Sequence, residues 1–423
     1  MSLVRKSMEK QCEKINYIFL WRQNDWGLFK RRNEALLLEL SRRDSVESVL
    51  HIEPLTPKGI IGLVVRWWQA RDDSVRLIYR LHFKKAFFRK PVMVEGEKKV
   101  FVHSIFVLYT WDRVALKKMS NFLIKLQGKI INRIFIRSKK NIVLVAYPPS
   151  IYQSEVISNL KHDILVADLV DDVIARTRNR MLRNKYIEAC KTILPKCTWV
   201  FSTSPALGEY RDYAGQEVEY LPNGVDSLEY AGDFSKKYYE NRGRKTAGYV
   251  GNINQLVDLD LLEYSIVNCP QVDFILIGRI DRETVTGVKK IINQYKNCQY
   301  LGERRFTEIP GYLSSFDVLI SFKKDDDSTR GNESMKIYQY LLSGKPIVSL
   351  PLSPADRFAG MIYVASDKFQ FVEYLKKAID ENDPEMRNKR IHTALENSWT
   401  KRADVIHNRV LQYFGISTSN TGN

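Results

Sequence analysis

Long hydrophobic runs are missing from this sequence. No stretch approaches the ~18 consecutive apolar residues that mark a membrane-spanning helix, and the run at 60–65 is cut off by Arg66. The apolar piece from Ile15 to Trp21 is too short and too polar for a signal-peptide core, so no export signal is expected. Cysteine is sparse and scattered: Cys12, Cys190, Cys197, Cys269 and Cys298 are odd in number and contain no Cys-x-x-Cys. That usage fits a reducing compartment and excludes a disulfide framework and a cysteine-based zinc site. The six histidines are equally dispersed, so no metal is expected. Internal repeats and low-complexity segments are also lacking. These absences point to a cytoplasmic protein.

What is present is an ordinary globular composition, 44% apolar and 27% charged, on a chain of 423 residues. That length is large for one core and implies two domains of about 200 residues each. Short β-rich runs alternate with helical patterns. In the first half the runs span 15–21, 46–52, 100–109, 142–147, 164–170 and 199–203, with helical candidates at 30–42 and 178–194 between them. A turn at Leu221-Pro222-Asn223-Gly224-Val225-Asp226 closes this half, and a polar, Tyr- and Lys-rich linker follows at 227–244. Strand patterns then restart at 246–250, 273–277, 298–301, 318–322 and 347–350. The expected fold class is α/β: two doubly wound Rossmann-like domains, 1–226 and 245–396, facing a cleft. The last helix, within 397–423, is expected to pack back on the first domain. Ligands in such sheets bind at the carboxyl ends of strands.

The net charge of +17 is unevenly placed. Between Val64 and Lys140 there are 19 Lys and Arg against 5 Asp and Glu, a local +14, interleaved with Trp67, Trp68, Tyr79, Phe83, Phe87, Phe88, Phe101, Phe106, Tyr109 and Trp111. Cations beside aromatic rings suit an anionic membrane surface. A solvated basic face is the bland alternative, and no known nucleic-acid motif accompanies the charge. Within this region 112–140 reads as a helix. Met119, Leu123, Leu126, Ile130 and Ile134 form an apolar stripe expected to dock on the core; Lys125, Lys129, Arg133 and Arg137 form a basic stripe beside it.

The stretch Glu333 to Ser349, ESMKIYQYLLSGKPIVS, reads as a short helix stopped by Gly344 and Pro346 before a strand. Lys336 and Gln339 lie three apart on one of its faces, a stripe that either meets water or meets a ligand. Ahead of it, Gly248 to Ile253 is a strand running into a glycine turn that lets backbone approach a ligand closely.

In this order the pieces resemble the two-domain glycosyltransferases of the GT-B fold. The likeness rests on Val170-Asp171-Asp172, on 221–226, on 248–253 and on 336–349, and runs from about Asp163 to Phe414. Asp25-Trp26 with Arg31-Arg32 is similar, more loosely, to the acceptor-side loop of such enzymes. Ser334-Met335-Lys336 with Gln339-Tyr340, and Gly302-Glu303, resemble the glucuronosyltransferases of xanthan assembly. Pro222 to Asp226 and the Lys-Ile-Tyr-x-Tyr-Leu-x-x-Gly-Lys-Pro segment resemble teichuronic-acid type (family 4-like) transferases. Retaining relatives carry a pair of glutamates where this chain has Asn332 and Gln339, which favours inversion.

The resemblance implies a transfer from a nucleoside diphosphate sugar, with uridine the expected base, to a polyprenyl-linked saccharide in surface polysaccharide synthesis. It implies a peripheral enzyme at the inner face of the membrane, with neither cofactor nor nucleic-acid partner. Lys336 and the amides of the helix start would stabilise the departing diphosphate. Gln339 would meet a hydroxyl or the nucleoside. Gly251, Asn252, Ile253, Glu303, Phe322 and Met335 would line the nucleotide pocket. Asp171 would be the general base, with Asp172 beside it either raising its pKa or capping the next helix. Asp325-Asp326-Asp327 is read as a polar loop, not a metal site. The competing functions are a sugar-nucleotide epimerase on the same architecture and a non-enzymatic protein that binds nucleic acid or an anionic surface.

Overall fold

A computed structural model of the protein describes residues 14–416, apart from 24, 28–30, 58–59, 62–63, 65–66, 69–79, 81–83, 85–90, 109–113, 227–232, 241–242, 325–332 and 352–353. The chain divides into two compact units. One contains the residues up to Leu221 and those from Ala403 onward; the other is Pro222–Arg402.

The first unit is built on an eight-stranded sheet. Its strands are β1 (Ile15–Leu20), β2 (Val46–Leu55), β3 (Val92–Met93), β4 (Val100–Phe106), β5 (Ile142–Ala146), β6 (Ile164–Leu169), β7 (Trp199–Ser202) and β8 (Val218–Tyr220). Their spatial order is β3-β4-β2-β1-β5-β6-β7-β8, parallel except where β3 meets β4. Residues of β1, β5 and β6 are buried throughout, as expected of strands covered on both faces. Strand order turns at β1: β2 lies on one side and β5 on the other, which opens a crevice at their carboxyl ends. At the other end of the chain, His407 bonds the Tyr17 hydroxyl (2.8 Å) and the Ser45 hydroxyl (2.7 Å), and Asp404 pairs with Arg43 (2.8 Å).

The helix read at 112–140 is present as Val114–Ile131, continued by a wider π-type turn over Asn132–Ile136. Its docking face is a correction. Ser120, Ile124, Gly128, Ile131 and Phe135 face the core, whereas Met119, Phe122, Leu126 and Ile134 are exposed. Small residues decide the matter: a Cβ on Gly128 would sit 3.0 Å from Asn159 of the helix Gln153–Asn159, so the closest approach occurs where hydrophobicity is lowest. Of the interleaved aromatics, Trp67 and Trp68 are exposed, while 79, 83, 87, 88, 109 and 111 lie outside the described residues. No helix among the described residues is long and apolar enough to cross a membrane.

The second unit holds a six-stranded parallel sheet. Its strands are β9 (Lys245–Val250), β10 (Val272–Ile277), β11 (Cys298–Gly302), β12 (Val318–Ser321), β13 (Ile347–Ser349) and β14 (Tyr363–Val364), in the order β11-β10-β9-β12-β13-β14. Strand order again turns at the first strand, between β9 and β12. Part of the segment read as a linker is bound to this unit: the Tyr238 and Tyr239 amides donate to the Ser315 hydroxyl at the end of the helix Ile309–Ser315.

Candidate functional site

Three glycine turns follow adjacent strands of the second unit. Gly251 (φ 148°), Gly278 (φ 133°) and Gly302 (φ 85°) stand after β9, β10 and at the end of β11. The Gly251 amide donates to Ile277 O (2.9 Å) and the Gly278 amide to Gly302 O (3.0 Å). A Cβ on Gly278 would overlap the Gly251 carbonyl, so a side chain is excluded there. The turns therefore stack as bare backbone along the carboxyl edge of the sheet.

Above them stands the helix Met335–Leu342, entered through Ser334, whose side chain makes no cap. Ile337, Tyr338, Tyr340, Leu341 and Leu342 bury its inner face, while Lys336 and Gln339 are half-buried. The Tyr340 hydroxyl accepts from the Val250 amide (2.8 Å) and anchors the helix to the end of β9. Glu333 pins the helix start: its carboxylate accepts from the Tyr338 hydroxyl (2.7 Å), Arg357 (2.7 Å) and the Asn223 amide.

This framework presents Lys336. Its Nζ lies 3.9 Å from the centroid of the Tyr249 ring and would be 2.7 Å from a Cβ on Gly251. It is shielded from water and has no hydrogen-bond partner among the described residues. Burial first, and the nearby charge of Lys323 second, hold its pKa well below the usual lysine range. A buried ammonium without a partner is costly to the fold. Its presence at a bare glycine turn and a helix start marks an anion site.

The remaining residues separate into groups. Gly251 and Lys336 meet directly, and Asn252 is exposed in the same turn, with its Nδ2 3.4 Å from Asp281. Met335 and Gln339 flank Lys336 on its helix. Glu303 is exposed just after Gly302 at the same sheet edge. Ile253 and Phe322 are corrected: both are 1% exposed in the core of this unit, so neither side chain lines a pocket. Phe322 supports the Tyr249 ring from 4.7 Å.

In the first unit Asp171 takes a left-handed backbone (φ 61°), a conformation that aspartate tolerates. Its carboxylate lies 3.7 Å from Arg176 and lines a cavity of about 400 Å³ at the carboxyl ends of β1, β2, β5 and β6. Asp172 takes the capping one of the two roles expected of it. It caps the helix Val173–Arg176 through the Ala175 amide (2.9 Å) and accepts from the Tyr210 hydroxyl (2.9 Å). The triplet 325–327 and Asn332 lie outside the described residues. Among the described residues no three His, Cys, Asp or Glu side chains cluster as metal ligands.

Sequence reasoning missed Tyr249, Gly278, Glu333 and Arg22. Gly278 had a legible signal, since it follows a strand as Gly251 does. The motif at 221–226 has a structural role in this unit: Asn223 Nδ2 donates to Glu333 O (3.0 Å), and a Cβ on Gly224 would sit 3.0 Å from backbone atoms of 397–399. Gly251→Ala is expected to cost about 1–3 kcal/mol through its φ and the push on Lys336. Thermal unfolding measures this against Gly208→Ala, which meets nothing within 4 Å and is expected to be near neutral.

The two parallel-sheet units are those of the GT-B fold, as comparison with solved structures shows. HepE of Anabaena, crystallised with UDP and glucose, is 14% identical, with 94% of this chain and 99% of that one covered at a TM-score of 0.61. Sucrose-phosphate synthase from Thermosynechococcus elongatus is 9% identical, with 96% and 100% covered at a TM-score of 0.61. In sequence, the chain is 20% identical over 212 residues to TuaH of Bacillus subtilis (strain 168), named for a glycosyltransferase role in teichuronic acid biosynthesis. The match covers 48% of this chain, which spans about half the length of that relative, 52%. No protein-family model matches the chain.

Proposed function

We propose that the protein is a glycosyltransferase that moves a sugar from a UDP-linked donor to a saccharide acceptor on a polyprenyl carrier, in surface polysaccharide synthesis. The observation that carries this reading is the buried Lys336 ammonium against the Gly251 turn, without a hydrogen-bond partner among the described residues. As the bond between the anomeric carbon and the diphosphate breaks, the electron pair leaves with the diphosphate, and Lys336 with the helix amides stabilises that charge. Asp171 takes the proton from the acceptor hydroxyl as its oxygen attacks the same carbon, which inverts the anomeric centre. Neither a metal nor a cofactor enters these steps. The fold shared with HepE, whose crystals hold UDP and glucose, supports the donor class, and the likeness to TuaH, named for teichuronic acid biosynthesis, supports a role in building a polymer.

The membrane part of the proposal rests on the helix Val114–Ile131. Its outer face carries exposed Met119, Phe122 and Leu126 among Lys118, Lys125 and Lys129, without an acidic residue in the helix. Apolar side chains that enter the headgroup layer beside cations suit an anionic membrane at the inner face of the cell membrane.

The test begins with thermal unfolding in the presence of UDP-, GDP- and CMP-sugars. UDP-sugars are expected to raise the midpoint and to label a lipid fraction, with a product of inverted anomeric configuration by NMR. Absence of protection and of labelled lipid would remove the proposal, and an isomerised nucleotide sugar from donor alone would replace it with an epimerase. In flotation, anionic phosphatidylglycerol vesicles are expected to recover more protein than neutral phosphatidylcholine vesicles. Equal recovery contradicts the membrane part.

A further inference from the structure

The cavity in the first unit holds a second buried cation that the transfer steps do not use. Its wall includes Arg22, Thr56, Ser150 and Asp171, which follow four adjacent strands, with Arg176 of the helix Val173–Arg176 and Tyr186 of the helix Arg180–Ile193. Arg22 follows β1, its guanidinium 5.3 Å from the Trp21 ring centroid. Its Nε is hidden from water and has no hydrogen-bond partner among the described residues. A desolvated guanidinium N–H left unpaired is unfavourable unless something else supplies an acceptor.

The charges around Arg22 indicate what that acceptor is. Burial opposes its cationic form first; Asp171 favours that form, while Arg31 and Arg176 oppose it. Arg31 is paired with Asp25 at 2.6 Å, and Arg176 is 3.7 Å from Asp171. Asp171, the carboxylate among the lining residues, thus has Arg176 beside it, and Arg22 remains as one positive charge in excess on the wall. Thr56, Ser150 and Thr177 line the same space, whose volume suits one or two sugar rings.

We infer that this cavity holds an acidic sugar residue of the acceptor, with its carboxylate or phosphate on Arg22 and Arg176. The inference rests on the reading of Asp171 as general base, and it orients the ring. The anion is repelled from Asp171 and drawn to the guanidinium fork, which leaves a neutral hydroxyl to approach the Asp171 carboxylate. The protein would accordingly discriminate among acceptors by charge, on the unit that lacks the Lys336 site.

Calorimetry on the full chain with glucose, D-glucuronate and glucose 6-phosphate tests this directly. At least one of the two anions is expected to bind at least tenfold tighter than glucose. Arg22→Gln should remove that preference, and Arg176→Gln should weaken it about fivefold. Lys336→Ala should leave it unchanged. Glucuronate alone, glucose 6-phosphate alone, or both would each support the inference and identify the oxyacid. UDP-sugar protection of Arg22→Gln checks that the variant folds; if it does not, Arg176→Gln at its half-exposed position makes the decision. Glucose binding as tightly as both anions, or anion affinity unchanged in the folded variants, would overturn the inference. Anion preference without nucleotide-sugar binding would keep the cavity's ligand and remove the transferase reading; the opposite pair of results would do the reverse.

Discussion

Lys336→Ala is expected to lower turnover by about 10²- to 10³-fold, the range seen when one preorganised donor to a developing anion is removed. The fold should not suffer, because the deleted charge is buried beside Tyr249 without a partner among the described residues. Lys336→Met, closer in volume, should leave the unfolding midpoint equal or raise it, since replacement of a buried charge by an apolar group is often neutral or stabilising. Steady-state kinetics with UDP-sugar and thermal melts on both variants separate the two effects. Unchanged turnover removes the assigned role; a large loss of stability makes the lysine structural instead. The pH dependence has a definite sign. The folded pKa lies well below the value of the unfolded chain. Between those two values the unfolded chain binds more protons, so this group makes stability rise with pH across that window, and its full penalty is present below the folded value. A diphosphate next to Nζ pulls the pKa back up. UDP binding should then take up a proton, and affinity should fall as pH rises through the depressed value. Calorimetry in buffers of different ionisation enthalpy reads that uptake, which should vanish in Lys336→Met.

Much of this site was legible because parallel strands advertise themselves. Largely apolar runs such as Ile164–Leu169 and Val272–Ile277 stand out, and the glycine after the strand Lys245–Val250, Gly251, pointed to the sheet edge. The two-residue strands β3 and β14 and the polar β8 carry no such pattern, because at a sheet edge backbone pairing does the work of side-chain burial. The polar pair Lys336 and Gln339 was visible at helical spacing. The shielding of the lysine was not, since the Tyr249 ring and the Gly251 turn come from the far side of the unit in sequence. The same limit applies to the Val114–Ile131 helix, where two apolar stripes compete. Periodicity favoured the richer stripe, whereas the fold used the one containing Ser120 and Gly128, which allows close approach to Asn159. Ile253 and Phe322 illustrate a different confusion. A residue carried over from a binding motif can support the site from behind, as Phe322 supports Tyr249, without touching a ligand.

Arg32 separates those two kinds of role by measurement. Its resemblance-based reading puts it in an acceptor-side loop next to Arg31, yet the structure buries it at 1% exposure in the first turn of the helix Arg32–Ser41. Its Nε donates to Asp168 Oδ2 at 2.8 Å and its Nη2 to Oδ1 at 3.0 Å, a two-pronged pair with a carboxylate near the end of β6. Such a pair joins the helix to the sheet at Asp168, three residues before Asp171 in sequence. Arg32→Met leaves the buried Asp168 carboxylate without its cation, and is expected to cost about 3–5 kcal/mol. Asp168→Leu alone should also destabilise, by removing the carboxylate that the guanidinium grips with two prongs, whereas Arg32→Met with Asp168→Leu should recover most of the loss, because an apolar pair of similar volume needs no counter-charge. Urea unfolding reads this as a midpoint shift at constant slope. A loss under about 1 kcal/mol in the single variants, accompanied by a loss of transfer, would return Arg32 to the acceptor. The strong coupling expected between the two replacements, against its absence between Arg32→Met and Lys336→Met, would instead make the pair a support that ties the helix Arg32–Ser41 to β6 and takes no part in the transfer.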